Sequence, residues 1–277
     1  MDTEARICKH DEVVNYVEGH PVFKNVLDEG MLEGIKGEIE EAGDKWPKVP
    51  EIYCCLIEGT RVNLMTLERG LEFASNTTKG QVRSDFVGRL RDIGSTGTVF
   101  ELAIIGALVE RFGERAVTAY PSLPNGQRGE VRLNEKGMRI YFEASVISFS
   151  DADKKIFEAA YRSGGTAVGG LPGTGEGRVV QKMEEKFRRF AHDAPNVLVL
   201  SQYSCLPFHE SGLSAVRDHL GKYGGKGCVG NYAGVFYFDR FTWLKSVRNR
   251  HALPGARISR CMAKNLSSAF EKMAPPQ

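Results

Sequence analysis

Gly129-Glu130-Val131-Arg132-Leu133, Asn134-Glu135-Lys136-Gly137 and Met138-Arg139-Ile140-Tyr141-Phe142-Glu143-Ala144-Ser145-Val146 read as two strands around a tight turn. With Asn134 to Gly137 as the turn, Leu133 faces Met138, Glu130 faces Tyr141, and Glu143 becomes the diagonal neighbour of Glu130. That diagonal leaves the Cβ atoms roughly 7 Å apart, within reach of one shared cation. The second strand alternates: Ile140, Phe142, Ala144 and Val146 take one face, and Tyr141, Glu143 and Ser145 take the other. Two close carboxylates repel unless a proton or cation lies between them, and an all-oxygen pair suits Mg²⁺ or Mn²⁺ better than zinc. The competing reading is an ordinary surface hairpin with charges on its wet face.

Before the hairpin, an apolar helix is expected from Val99 to Phe112, then a strand at Val117-Thr118-Ala119-Tyr120. Next come Lys154 to Ser163, a glycine-rich stretch to Gly177, a helix from Arg178 to Ala191, and strands at Asn196 to Leu200 and Gly234 to Phe238. The order α, β, β, β, α, β implies an α/β sandwich with helices on a mixed sheet. Residues 1–92 read as a separate helical region, with helices at Glu12 to Val17, Val26 to Glu41, Ile52 to Phe73 and Val82 to Ile93. Residues 93–277 then form the second domain. A chain of 277 residues with 42% apolar composition can build a substantial core.

No run approaches about 18 consecutive apolar residues and no secretory leader is recognisable, so a cytoplasmic protein without a membrane span is expected. The six cysteines are scattered and read as reduced thiols. Charge is uneven: residues 1–100 carry 12 Lys and Arg against 18 Asp and Glu, and residues 101–277 carry 25 against 17. Arg240 to Arg260 holds six basic side chains, Arg248 and Arg250 among them, and suits phosphates or simply water.

On the expected helix from Val99, Glu101 falls among Ile104, Ile105, Leu108 and Phe112. It needs a partner there, because burying a lone carboxylate costs several kcal/mol. A capping box, Thr98-Val99-Phe100-Glu101, is the other reading. The helix from Arg178 carries Arg178, Lys182, Lys186 and Arg189 along one flank of an apolar stripe, placed for hairpin acids, for phosphates, or for snorkelling. The glycines between Ser163 and Gly177 match neither a phosphate loop nor a dinucleotide loop and suggest a mobile loop beside a site. Cys205, His209, His219 and Cys228 match no compact zinc spacing.

Glu101 on a helix, Glu130, the turn, Glu143-Ala144-Ser145 at the end of an apolar strand, and a later helix with Arg178, Gln181 and Lys182 together resemble the PD-(D/E)XK, or restriction-endonuclease-like, nuclease superfamily. The resemblance covers roughly residues 93 to 245. It implies a restriction-endonuclease-like core, and a Mg²⁺- or Mn²⁺-dependent nuclease hydrolysing DNA phosphodiester bonds, often as a homodimer. In that family the acids matching Glu130 and Glu143 hold the metal, helped by a helical acid like Glu101 and by the carbonyl at Ala144. This chain departs from the pattern in two places: Glu130 replaces the usual aspartate, and Ser145 stands where the catalytic lysine belongs. Members of the superfamily move that lysine to the neighbouring helix, which points to Lys182, with Lys186 on the same flank. Arg178, Lys186, Arg189, Arg248 and Arg250 are then the candidates for contacting nucleic acid. The other outcomes are a catalytically inactive nuclease-fold protein that binds nucleic acid or a protein partner, and an interaction module whose hairpin acids are surface charge.

Overall fold

The hairpin forms, but it closes two residues tighter than the sequence suggests. In the computed structural model, strands β2 (Val131–Glu135) and β3 (Met138–Ile147) pair antiparallel with Glu135 opposite Met138, Leu133 opposite Ile140 and Val131 opposite Phe142. Only Lys136 and Gly137 turn the chain, both left-handed at φ 50° and 78°. Two such residues give the mirror-image turn whose twist matches the strands, so Asn134 and Glu135 stay in the ladder. Extending the ladder by one residue sets Glu130 directly across from Glu143, rather than across from Tyr141.

The structure describes residues 3–43, 47–59, 62–93, 96–123, 126–147, 175–187, 194–202, 209–239 and 243–275. Within them, strands β1 (Val117–Ala119), β2, β3, β4 (Asn196–Gln202), β5 (Tyr232–Asp239) and β6 (Trp243–Arg248) form one open sheet in that order. β3 runs parallel to β4 and β4 to β5, while the outer pairings are antiparallel. The sheet is mixed, as expected. Asn196-Val197-Leu198-Val199-Leu200 is a near-continuous apolar run because the central β4 is covered on both faces.

Ten helices are described. Residues 3–91 supply α1 (Thr3–Gly19), α2 (Pro21–Lys24), α3 (Glu29–Ala42), α4 (Glu51–Glu58), α5 (Leu64–Thr77) and α6 (Gly80–Arg91); α7 (Thr96–Phe112), α8 (Gly175–Phe187), α9 (His209–Tyr223) and α10 (Arg260–Glu271) follow. The single helix expected from Ile52 to Phe73 is two. Gly59 ends the first in the left-handed conformation at φ 62°, and the Asn63 side chain caps the second by accepting from the N–H groups of Met65 and Thr66. The sequence signalled neither α9, β6 nor α10. The expected segment Lys154 to Ser163 and most of the glycine-rich stretch lie outside the described residues.

One face of the sheet, with Ile140, Phe142 and Ala144, packs on α7, α10 and the N-terminal helices in one continuous core from Val13 to Met273. Phe270 of α10 stands edge-on to Phe142 and Phe236, with centroids 6.0 and 5.0 Å apart. The helical stretch through residue 92 therefore shares its core with the sheet. α5 and α7 cross backbone to backbone: a Cβ on Gly106 would lie 1.9 Å from the Thr66 carbonyl oxygen, and one on Gly70 1.9 Å from that of Leu102. The other face, with Tyr141, Leu198, Leu200 and Val235, packs on Val179, Met183 and Phe187 of α8 and on Leu213, Val216 and Leu220 of α9. Glu143 and Ser145 belong to this second face, at 4% and 8% exposure. That removes the wet-hairpin reading. No helix among the described residues is long and apolar enough to cross a membrane.

Candidate active site

Alternation aims Glu143 at α8, and Lys186 of that helix comes down to meet it. The Lys186 Nζ donates to Oε1 of Glu143 at 2.7 Å and to Oε1 of Glu130 at 3.1 Å. The other oxygen of Glu130 accepts a short hydrogen bond from the backbone N–H of Ala144. An extended strand points the N–H and C=O of one residue to the same edge. The Ala144 carbonyl is therefore on the Glu130 side, just past the point where β2 begins. Tyr232 fixes the helix end by donating its hydroxyl to the Lys186 carbonyl at 3.1 Å, and its ring meets Phe187 edge-on at 4.1 Å.

Glu130 is held by its backbone as well. Its carbonyl accepts from the N–H of Tyr120 at 2.8 Å, and Gly129 bonds back to the Pro121 carbonyl at 2.9 Å. Tyr120 sits at φ 48°, a left-handed conformation unusual for an aromatic residue. Such strain persists only where surrounding contacts fix it. Here those contacts are the stacked Phe86 ring at 5.6 Å and the Tyr120 hydroxyl donating to Oε2 of Glu101 at 3.2 Å.

Glu101 does not close a capping box. The helix already starts at Thr96, and the buried carboxylate takes a two-pronged pairing from Arg89 of α6, at 3.2 Å for each nitrogen–oxygen contact. The partner that its burial demanded is thus an arginine from the N-terminal helices. Arg89 and Tyr120 were missed by sequence reasoning, since nothing in the spacing of α6 signals a partner on α7.

Glu101, Glu130 and Glu143 against Arg89 and Lys186 leave one surplus negative charge in this network. Burial, with the charges of Glu101 and Glu143 adding to it, holds the Glu130 carboxyl well above the ordinary carboxylate range, despite Lys186 and the Ala144 N–H. Burial likewise raises Glu101 against the pull of Arg89. Burial alone would lower Lys186, but Glu130 and Glu143 outweigh it and hold the ammonium protonated. A stability consequence follows for Glu130. The native carboxyl keeps its proton to higher pH than the unfolded one, so folding is increasingly opposed as pH rises from the ordinary carboxylate value to that raised value. In chelator, the gap in stability between wild type and Glu130→Gln should narrow as pH falls from neutral toward the ordinary carboxylate value, because protonation brings wild type toward the always-neutral variant. Urea midpoints measured across that range check this, and a pH-independent gap would contradict it.

The remaining expected residues are spread more widely. Lys182 pairs with Glu185 at 2.7 Å on the outer side of α8 and does not reach the acids. Arg178 donates to Gln181 at 3.0 Å on the exposed face. Ser145 is buried one residue past Ala144. Arg248 and Arg250 are exposed at the end of β6, on the far side of the sheet. Arg189, Cys205 and the side chain of His209 lie outside the described residues. His219 is stacked against Phe187 at 5.8 Å, and Cys228 is an exposed free thiol. Among the described residues, no group of three or more His, Cys, Asp and Glu side chains is arranged to hold a metal ion. No family model, no curated protein and no solved structure matches this chain.

Proposed function

We propose that the chain is a Mg²⁺- or Mn²⁺-dependent phosphodiesterase acting on DNA, with a restriction-endonuclease-like core whose catalytic lysine is Lys186. One observation carries this reading: a single ammonium lies within 3.1 Å of both hairpin carboxylates, from the helix that follows them. It supplies the cation that Ser145 lacks. The observed order α7, β1, β2, β3, α8, β4 supports the same reading.

The donor set suits a hard divalent ion. Glu130 and Glu143 present carboxylate oxygens on one side of the sheet, the Ala144 carbonyl faces the same edge, and the surplus negative charge calls for a cation. When bound there, the metal polarises the phosphate and lowers the pKa of the attacking water. The chain's own groups do the rest. The Ala144 N–H fixes the rotation of Glu130, Arg89 and Tyr120 hold Glu101 beside it, and Lys186 brings positive charge to the phosphorus oxygens where charge develops. Tyr232, anchoring the carbonyl of Lys186, sets the height of the ammonium above the sheet.

Lys186 also favours a second reading. By pairing both acids it offsets one of their two charges without a metal, as a nuclease-fold protein that only binds nucleic acid or a protein partner would require. Melting temperatures separate the two. A ligand that binds the native state alone stabilises it, so Mn²⁺ should raise the melting temperature of wild type by several degrees and leave a Glu130→Gln, Glu143→Gln double variant unmoved. Equal response of the two proteins would remove the metal site and leave the binding-only reading.

A further inference from the structure

At the opposite edge of the sheet, α9 and β6 enclose a groove of about 440 Å³. Arg217 and Gly221 of α9 form one wall; Ser246, Arg248, Arg250 and His251 form the other. Its basic side chains are all exposed, and no carboxylate among the described residues lines it. Arg248 spends one nitrogen on the Ile258 carbonyl at 3.1 Å, whereas Arg217 and Arg250 have no ion-pair partner among the described residues. Three guanidinium groups held together without an acid repel one another, and an anion between them relieves that repulsion.

The walls are fixed in place. The buried Asn249 amide donates to the carbonyls of Gly224, Val229 and Tyr232 at 2.8, 3.2 and 3.0 Å, and its oxygen accepts from the His251 N–H at 3.0 Å. This ties the exit of β6 to the exit of α9. Gly224 has no room for a side chain, since a Cβ there would lie 2.3 Å from the Asn249 oxygen. The cationic surface continues past the groove with Lys222 and Lys226, at 5.1 and 6.0 Å from the ring of the exposed Tyr223.

From β3 to β6 is three strand spacings, about 14 Å. Glu143, Leu198, Val235 and Val247 form one transverse row, so the groove lies level with the carboxylates but across α8 and α9 from them. It is a separate site. We infer that this groove binds the phosphodiester backbone of a nucleic-acid strand through Arg217, Arg248 and Arg250. The groove is open, no Phe, Tyr or Trp side chain among the described residues walls it to hold a single base, and its charge runs on beyond one phosphate. Those features fit a continuous backbone better than a free nucleotide. The inference rests on the nucleic-acid reading above but not on cleavage.

The test is anisotropy of a short fluorescent DNA duplex in EDTA across a salt series, with an Arg217→Ala, Arg250→Ala variant and the Glu130→Gln, Glu143→Gln variant beside wild type. The groove variant should bind more weakly, with its slope of log K against log salt shallower by about two, roughly one per lost phosphate contact. The carboxylate variant, which removes two negative charges and frees Lys186, should bind no more weakly than wild type, so that weakening in the groove variant alone marks the groove. Unchanged affinity and slope in the groove variant, or no duplex binding by wild type at low salt, overturns the inference. So does displacement of the duplex by millimolar inorganic phosphate or a mononucleotide, which would make the groove a small-anion site. Groove-dependent binding without any metal-dependent cleavage would remove the nuclease reading while leaving this one standing.

Discussion

Lys186→Met should lower DNA cleavage by a factor on the order of 10² to 10³, the usual cost of losing one preorganised electrostatic group in a transition state. Lys182→Met, one helical turn away, should leave the rate within a few-fold of wild type, because its ammonium pairs with Glu185 at the surface. Initial rates on plasmid in Mg²⁺ measure both. The same pair separates structural from catalytic roles. Removing the Lys186 ammonium leaves Glu130 and Glu143 facing each other with no counter-charge, which costs about 3 kcal/mol or more in metal-free protein. A divalent ion would replace that missing charge. Mn²⁺ should therefore restore much of the stability of Lys186→Met but not its rate, whereas a lysine that only held the fold would see both return.

Gly106→Ala should be among the most damaging single-methyl changes in the protein. The added carbon would meet the Thr66 carbonyl at 1.9 Å and the Gly70 nitrogen at 2.9 Å, both backbone atoms that no rotamer change can move. α5 and α7 would have to separate along their buried seam, at a cost of about 3 kcal/mol or more. The same substitution at Gly88 has the opposite sign. Gly88 lies in mid-α6 with nothing within 4 Å of its would-be Cβ, so alanine there stabilises by up to about 1 kcal/mol through helix propensity. Urea midpoints of the two variants should fall on either side of wild type. Equal values would mean that the α5–α7 crossing is looser than its geometry shows.

Much of the fold was legible because periodicity carries it. Alternation along Ile140 to Val146 sorted both faces of β3 correctly, and the apolar Asn196 to Leu200 run marked a strand, which the structure covers on both faces. The register was less legible. Asn134 and Gly137 look like the ends of a four-residue turn, and only the left-handed Lys136 reveals the tighter closure. β6 is an edge strand bearing Lys245 and Arg248, and its charge masked its alternation.

The site was half readable. The two hairpin acids stood out, but Lys182 and Lys186 were equivalent on the helix: each lies three residues after an apolar anchor, Val179 or Met183, and directly before the next one. Choosing between them needs to know which turn of α8 lies over the acids. That is a rise of about 6 Å along the axis, set by tertiary packing through Tyr232 and Phe187. Arg89 was invisible for a similar reason, since its partner is on another helix and the pairing exists only once α6 lies against α7.

The most direct measurement is cleavage of supercoiled plasmid and single-stranded DNA by purified protein in Mg²⁺, Mn²⁺ or EDTA, with Glu143→Ala run alongside and its folding checked by melting. Strand scission is expected in either metal, none in EDTA, and none from a folded Glu143→Ala. Cleavage by that variant at the wild-type rate, or scission that persists in EDTA, would contradict the proposed function.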